Sequence, residues 1–491
     1  MADACEMEKL DLGKATSGAD GDKQIAGSQQ RELLDELVAE ILSRMGTLNE
    51  AVRCSSLVCS RWRNTWRSIC GGVLDFDEFN EALIRRRHDG AADDEEKNRF
   101  ANRVDQALSC LVHHQNLDAL RIGSDLLEMD RVGRWLEFGL AKRVKQLSLW
   151  FYYFFSSHSL GLTFFTPEFL AKHDLRRLES LELYGVSSIS QRAVDHILSE
   201  SNCPSLRCFL LNSCVFQKIN GGDAVLRLGS SNVLQRLEFN ELANVARVEL
   251  ISAPRLLDCW LRGFSLSQVE FGDGIPQLRD AVLCCRQGLL LQWPSRDQFD
   301  KIAPRLRNLS IEVVGSDLLP NPAPPPEWLV FKKLTTLGLF VHVKRAPPSF
   351  LECTLLLRAA PVLHKLAIWF GDLDGEGEPR GWEGWDSDAA RSSTWKHHSL
   401  RVLELHGVHP RCGAVDYVRK SELELAANII MNSPSLSRVV IDTRRREWLH
   451  GFRGLIRFSH TTEALRGEIK MELETQLQGC SATSRIHFTY Q

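Results

Sequence analysis

The chain has 491 residues, 44% hydrophobic and 25% charged, with 60 basic against 63 acidic side chains and a formal net charge of −3. This ordinary globular composition is long enough for two or more domains, or for one repeat array beside a small module. Near-neutral charge gives no footing for wholesale binding to nucleic acid or an anionic membrane, and no run reaches the roughly 18 uninterrupted apolar residues of a membrane span.

The amino terminus carries acidic residues and no apolar signal core. The 14 cysteines are scattered and form no small-domain disulfide framework. A reducing compartment, nucleus or cytoplasm, is expected. Residues 1–30, rich in Ala, Gly, Asp, Ser and Lys, have little to bury and are expected to be a disordered leader.

Residues 31–67 read as a set of short amphipathic helices. Leu34, Leu37, Val38, Ile41, Leu42 and Met45 recur at three- and four-residue steps, which places them on one helical face. Gly46 stops that helix, and Thr47 with Glu50 stands at capping-box spacing for the next. Ser60 is read as the cap of a third helix, on which Trp62 and Trp66 stack one turn apart. About forty residues with this much apolar surface do not easily enclose a core alone, so some of it must face the rest of the chain or another protein.

Three segments carry a resemblance. Leu33-Leu34-Asp35-Glu36-Leu37-Val38, Ile41-Leu42-Ser43-Arg44-Met45 and Val58-Cys59-Ser60-Arg61-Trp62-Arg63 together resemble an F-box, the module that docks on the Skp adaptor of SCF ubiquitin ligases. Leu34 stands where that family usually has proline, and Gly46 replaces the proline usual after the first helix; both keep a helix boundary available. The resemblance implies adaptor contact by Leu37, Ile41, Leu42, Met45, Leu57, Val58 and Trp62, some of which must instead pack the module's interior.

Further along, residues 73–76 read as a short strand, 89–96 as a solvated acidic loop and 98–113 as a helix with Phe100, Val104, Leu108 and Leu111 on one face. Then a pattern repeats: an apolar residue, two variable ones, then apolar-x-apolar, which is a short strand with alternating faces. It starts at Leu117, Val144, Leu178, Leu206, Leu234, Val245 and Leu256. It continues at Leu278, Leu306, Leu334, Leu363, Leu400 and Leu436. Successive steps are 27, 34, 28, 28, 11, 11, 22, 28, 28, 29, 37 and 36 residues. The two steps of 11 make one of 22, and most of the others lie in or near the roughly 20–29-residue leucine-rich-repeat range.

Six units carry a proline two residues before the first leucine: Pro204, Pro254, Pro276, Pro304, Pro361 and Pro434. Proline fixes its own φ and donates no amide, so it suits the loop leading into a strand. Helical patterns fill some returns, with Val132, Trp135, Leu136 and Leu140 before the second strand and Leu423, Leu425, Ala426, Ile429 and Ile430 before the last. No unit buries its inner face alone, so neighbours must stack. Residues 318–326 are a proline-rich connector, and 371–395 a polar insertion carrying Trp382, Trp385 and Trp395. A helix from about 461 to 478 and a strand at 486–488 are expected to cap the array.

Asp130-Arg131-Val132-Gly133-Arg134-Trp135-Leu136 followed by Val144-Lys145-Gln146-Leu147-Ser148-Leu149 resembles the opening repeats of plant F-box proteins with leucine-rich repeats, and 426–441 is similar to their C-terminal FBD-type repeat. The expected fold is α/β: a small N-terminal helical F-box module followed by an irregular leucine-rich-repeat solenoid with a curved parallel sheet. Its expected divisions are 1–30 leader, 31–70 F-box, 71–116 linker and capping helix, 117–450 solenoid with insertions near 312–330 and 371–396, and 451–491 cap.

Catalytic chemistry finds little support. His406, His409 and Cys412 are dense enough to suggest a metal, but a fourth ligand and a Cys-x-x-Cys pair are lacking. Cys203, Cys208, Cys214, Cys284 and Cys285 fall in or beside repeat strands, where core packing is the better reading. There is no phosphate-cradling glycine loop, nucleophile elbow or paired-carboxylate motif. No catalytic residue, metal or cofactor is assigned.

Binding is better supported. The middle residue of each triplet faces the concave surface: Ser148, Glu182, Leu210, Glu238, Glu249, Trp260, Val282, Ser310, Gly338, Ala367, Glu404 and Val440. Trp150, Tyr184, Arg262, Phe340 and Trp369 follow the triplets on the same face. Aromatic and Arg enrichment there suggests hot-spot material, so target contact is expected at Leu210, Trp260, Arg262, Val282, Phe340 and Trp369; loops covering part of this face are the alternative.

The expected function, implied by resemblance, is a non-catalytic substrate-recognition subunit of an SCF-type ubiquitin ligase. Its partners would be the Skp adaptor, through it a cullin, and a protein target, without nucleic acid or membrane. The alternatives are a ligase-independent binding scaffold or ligand receptor, and a solenoid ligase carrying ubiquitin on its own cysteine.

Overall fold

The computed structural model describes residues 37–38, 72–76, 94–110, 117–124, 129–151, 165–186, 188–219, 221–229, 231–264, 268–285, 301–314, 330–342, 356–371, 395–407, 416–442, 446–448, 456–458, 463–477 and 486–490. The expected leader, most of the F-box helices, the proline-rich connector and the tryptophans Trp382 and Trp385 lie outside the described residues.

Among the described residues fourteen strands form one parallel sheet. It opens with β1 (Val73–Asp75), β2 (Ala119–Ser124), β3 (Gln146–Phe151), β4 (Ser180–Tyr184) and β5 (Cys208–Asn212). β7 (Arg236–Asn240), β9 (Asp258–Arg262), β11 (Asp280–Cys285), β12 (Asn308–Val314) and β13 (Thr336–His342) follow. β14 (Lys365–Gly371), β15 (Val402–His406), β16 (Arg438–Asp442) and β19 (His487–Tyr490) complete it. The central apolar residue of each repeat pairs with its equivalent in the next coil: Leu120 with Leu147, Leu181 with Phe209, Leu309 with Leu337, Leu366 with Leu403. Because side chains alternate along a strand, this register stacks every inward-facing pair into one continuous core.

The prolines act where the chain turns into the sheet. Cys203, Ala253, Ala360 and Ser433 each accept a hydrogen bond from the leucine three residues on, at 3.3, 3.0, 3.1 and 3.0 Å. Pro204, Pro254, Pro361 and Pro434 therefore sit second in a turn, the position that a fixed φ near −65° pre-sets.

One repeat unit departs from the expected pattern. The Val245 unit does not join the large sheet; its strand β8 (Val245–Ser252) lies between β6 (Ala224–Leu228) and β10 (Val269–Gly274) in a separate three-stranded parallel sheet. This splits the 22-residue step, as β7 and β9 pair directly. In the two 22-residue coils β8 and β10 replace the helical return, because 22 residues leave too little chain for a helix plus two turns, and β6 of the preceding 28-residue coil pairs alongside β8. Leu226, Val248 and Val269 stack by register and are buried.

Helices fill the longer returns. Phe100, Val104 and Leu108 of α1 (Asp94–Cys110) and Trp135 of α2 (Met129–Ala141) are buried, and Trp135 Nε1 donates to Asp105 Oδ1 at 2.7 Å. α1 takes in the last residues of the expected acidic loop, where carboxylates suit a helix N-terminus. Thr166 and Ser190 cap the short α3 (Pro167–Leu170) and α4 (Gln191–Leu198) by accepting from Phe169 N and Ala193 N. α5 (Asp416–Met431) and α6 (Glu463–Gln476) cover the far end, with Ile430 and Leu473 buried. Between them β17 (Arg446–Trp448) and β18 (Ile456–Phe458) make an antiparallel pair, which the repeat pattern does not signal. β19 closes the sheet against β16.

Candidate protein-binding face

Opposite the core, the large sheet presents an open face, and the register sets its side chains in rows. One row runs Ser148, Glu182, Leu210, Glu238, Trp260, Val282, Ser310, Gly338, Ala367, Glu404, Val440. A second, two residues further along each strand, includes Trp150, Tyr184, Arg262, Phe340, Trp369 and His406. Glu249 is not among them. It belongs to the outer sheet, where it holds Arg227 at 2.8 Å and Arg247 at 2.5 Å.

At the first coils the rows close on themselves. The Trp150 and Tyr184 rings stack with centroids 4.4 Å apart and 27° between planes. Trp150 Nε1 donates to Ser148 Oγ, which donates to Glu182 Oε2 at 3.1 Å. Leu210 completes this cluster and is only 3% exposed. The expectation that Leu210 presents apolar surface is therefore corrected: the aromatic pair consumes it as packing.

The middle coils are more open. The Arg236 guanidinium donates to Glu238 at 3.2 Å and lies over the Trp260 ring, 4.8 Å from its centroid, a cation–π arrangement that holds the indole against the sheet. Trp260, Arg262 and Val282 are half-buried, so part of each side chain meets solvent. Beside them Asp258 and Asp280 pair across adjacent strands. Burial first, then the hydrogen bond and charge of Asp280, push the Asp258 carboxyl up to about 6, against the pull of Arg236. Asn308 Nδ2 donates to Asp280.

Towards the last coils a second aromatic stack forms. Phe340 and Trp369 lie 4.4 Å apart and 10° from parallel, and His406 continues the column 5.4 Å further on. Gly338 makes room for it: a Cβ there would stand 2.7 Å from Ser310 Oγ and 2.9 Å from the Trp369 ring. His406 Nε2 lies 3.5 Å from Glu404 and Nδ1 3.5 Å from Asp442, while Lys365 Nζ reaches Glu404 at 2.8 Å. These partners, His406 foremost, hold the Glu404 carboxyl at about 2. Phe340 and Trp369 remain half-buried.

His406 thus acts through its ring plane and two carboxylates. Among the described residues no group of His, Cys, Asp and Glu is arranged to hold a metal; His409 and Cys412 lie outside them. Cys203, Cys214 and Cys259 are buried. Burial pushes the first two thiols up to about 12 and the third upward as well, the opposite of a reactive nucleophile. The side chains of Cys284 and Cys285 are outside the described residues. Of the adaptor-contact residues, Leu37 is described: it is helical and 53% exposed. Ile41, Leu42, Met45, Leu57, Val58 and Trp62 lie outside the described residues.

Triplet reading found the aromatic rows but missed their neighbours. The Arg236, Asp258, Asp280, Asn308 and Lys365 row precedes the triplets and could have been found by extending the alternation two residues towards the strand start.

One strand per coil, all parallel, with the apolar repeat facing a shared core, defines a leucine-rich-repeat solenoid. Residues 112–472 match the family described as At1g61320/AtMIF1, LRR domain, and residues 32–72 match the F-box domain. The chain belongs to that plant leucine-rich-repeat family and carries an F-box ahead of the repeats. No curated protein matches it significantly. Residues 426–441, whose sequence is similar to an FBD-type repeat, fall inside the matched leucine-rich-repeat stretch.

Proposed function

We propose that this protein is the substrate-recognition subunit of an SCF-type ubiquitin ligase, in nucleus or cytoplasm. The observation that carries the reading is the pairing of an F-box at 32–72 with a leucine-rich-repeat domain at 112–472 in one chain. F-box domains generally bind Skp adaptors, and this architecture is typical of non-catalytic adaptor proteins. On this reading the chain performs no bond-making step itself. It raises the effective concentration of target lysines beside an activated ubiquitin carried by the adaptor–cullin assembly.

Target contact falls to the half-buried side chains Trp260, Arg262, Val282, Phe340 and Trp369. They present aromatic and guanidinium surface, and Trp260 under Arg236 and the stacked Phe340 and Trp369 are held in place, so these three lose little side-chain entropy on binding. The buried Trp150, Tyr184 and Leu210 cluster supports this face from one end. Adaptor contact falls to Leu37, Ile41, Leu42, Met45, Leu57, Val58 and Trp62. The double variant Leu37→Ala, Trp62→Ala is expected to lose adaptor co-purification by about tenfold or more, at roughly 2 kcal/mol or more per truncated anchor. Undiminished adaptor recovery from a folded double variant defeats the reading.

A further inference from the structure

Each strand of the large sheet starts where the chain turns into it, and these turns stack into an edge. Arg279 O accepts from Arg307 N and Asn308 N at 2.8 and 3.1 Å, and Arg401 O likewise serves Ser437 and Arg438 at 3.0 Å each. Side chains at equivalent positions are therefore about 4.8 Å apart from one coil to the next.

On the first coils this edge is neutralised locally. Lys145 lies 2.9 Å and Arg177 3.7 Å from Asp118; Arg143 lies 3.4 Å and Arg176 2.8 Å from Asp174. Arg207, at the start of β5, is exposed without a carboxylate at ion-pair distance among the described residues, and from β9 onward such cations accumulate along the same edge. Arg255, Arg279, Arg305, Arg307, Lys332 and Lys333 are exposed, and among the described residues none has a carboxylate at ion-pair distance. Arg305 reaches only the Ile275 carbonyl, at 3.4 Å. Arg401 and Arg438 continue the exposed row to β16. The nearby carboxylates Asp258 and Asp280 engage each other, Arg236 and Asn308. The whole chain carries a net charge of −3, so this is segregation of charge, not a general surplus. Stacked like charges repel, and folding gains nothing from gathering them.

We propose that the strand-start edge from β9 to β16 docks an extended acidic segment of a protein partner. Seven strands at about 4.8 Å give roughly 29 Å, the span of about nine extended residues. A polypeptide suits the edge better than single-stranded nucleic acid, because its exposed turn positions carry no Phe, Tyr or Trp on which bases would stack, Phe331 being buried. This edge is distinct from the aromatic open face, and the proposal stands whether or not the F-box docks an adaptor.

The test is the anisotropy of a fluorescein-labelled peptide of alternating Glu and Ser, about ten residues long, titrated with the full chain at low and high salt. The expected result is binding that weakens at least about tenfold with salt. Arg305→Glu with Arg307→Glu, or Lys332→Glu with Lys333→Glu, should weaken it about tenfold, while Arg143→Glu with Lys145→Glu stays within about twofold. Circular dichroism confirms folding, and a pair that unfolds is replaced by Arg305→Gln with Arg307→Gln, expected to lose about threefold. No binding by the wild type, equal losses from all three pairs, or tighter binding of an oligothymidylate of equal length would overturn the proposal.

Discussion

Asp258 shows how one side chain reports the stacking of coils. Its partner Asp280 is the equivalent residue of the next coil, brought opposite by the register of β9 and β11. Its carboxyl, raised to about 6 from an unfolded value near 3.9, binds its proton more tightly when folded. Stability therefore falls as pH rises from about 4 to about 6, then stays level. Asp258→Asn is expected to stabilise the protein at pH 7 by about 1 kcal/mol, discounted because much of the carboxyl meets solvent. Urea unfolding should show that gain vanish as pH falls towards 4. Glu404 runs the other way: held at about 2 by His406 and Lys365, it contributes stability above pH 4.5 that is lost as pH falls towards 2.

At the scale of elements, coil length limits the return segment without fixing it. A spacing of 28 residues admits either return, since the coil from β4 to β5 uses α4 and the equally long coil from β5 to β7 uses β6, whereas 22 residues leave room for a strand. In the coils around β7 and β9, β6, β8 and β10 return instead as strands with Leu226, Val248 and Val269 aligned beneath the core. Val248 is fully buried between the two sheets, so Val248→Ala should cost about 1–3 kcal/mol, read as a lowered denaturation midpoint. Little loss would mean that the outer sheet packs loosely. The Val245 motif repeats the apolar spacing of a sheet strand faithfully; its 11-residue offset from both neighbours is the feature that sets it apart.

For the whole molecule, stability is a sum over coils and their interfaces, and the ends are its weak points. Among the described residues the sheet ends on β1 and β19, which are short, three and four residues, and this limits the edge offered to other chains. Deleting 487–490 would strip Arg438, Val439, Val440 and Ile441 of their pairing on one side, leaving that with β15. Hydrogen exchange should then accelerate in β16 and β15 while β4, β5 and β7 keep their protection. Uniform loss of protection would show the array to be one cooperative unit instead.

Much of this was legible in the residues because two local rules suffice for it. Alternation of apolar residues fixes which face of a strand turns inward, and a recurring interval places each strand beside the next, so Leu120 through Val439 could be aligned from spacing alone. The F-box segments were likewise readable as a run of apolar anchors in register. What only the tertiary structure decided depends on contacts between residues far apart in the chain. The Val245 strand entered a second sheet because β6 and β10 of the neighbouring coils come alongside it and pair its backbone. Leu210 disappeared beneath Trp150 and Tyr184, contributed by strands 26 or more residues away. The Phe340, Trp369 and His406 column and the unpaired cations of the strand-start edge exist only once coils stack about 4.8 Å apart, a distance that no single repeat contains.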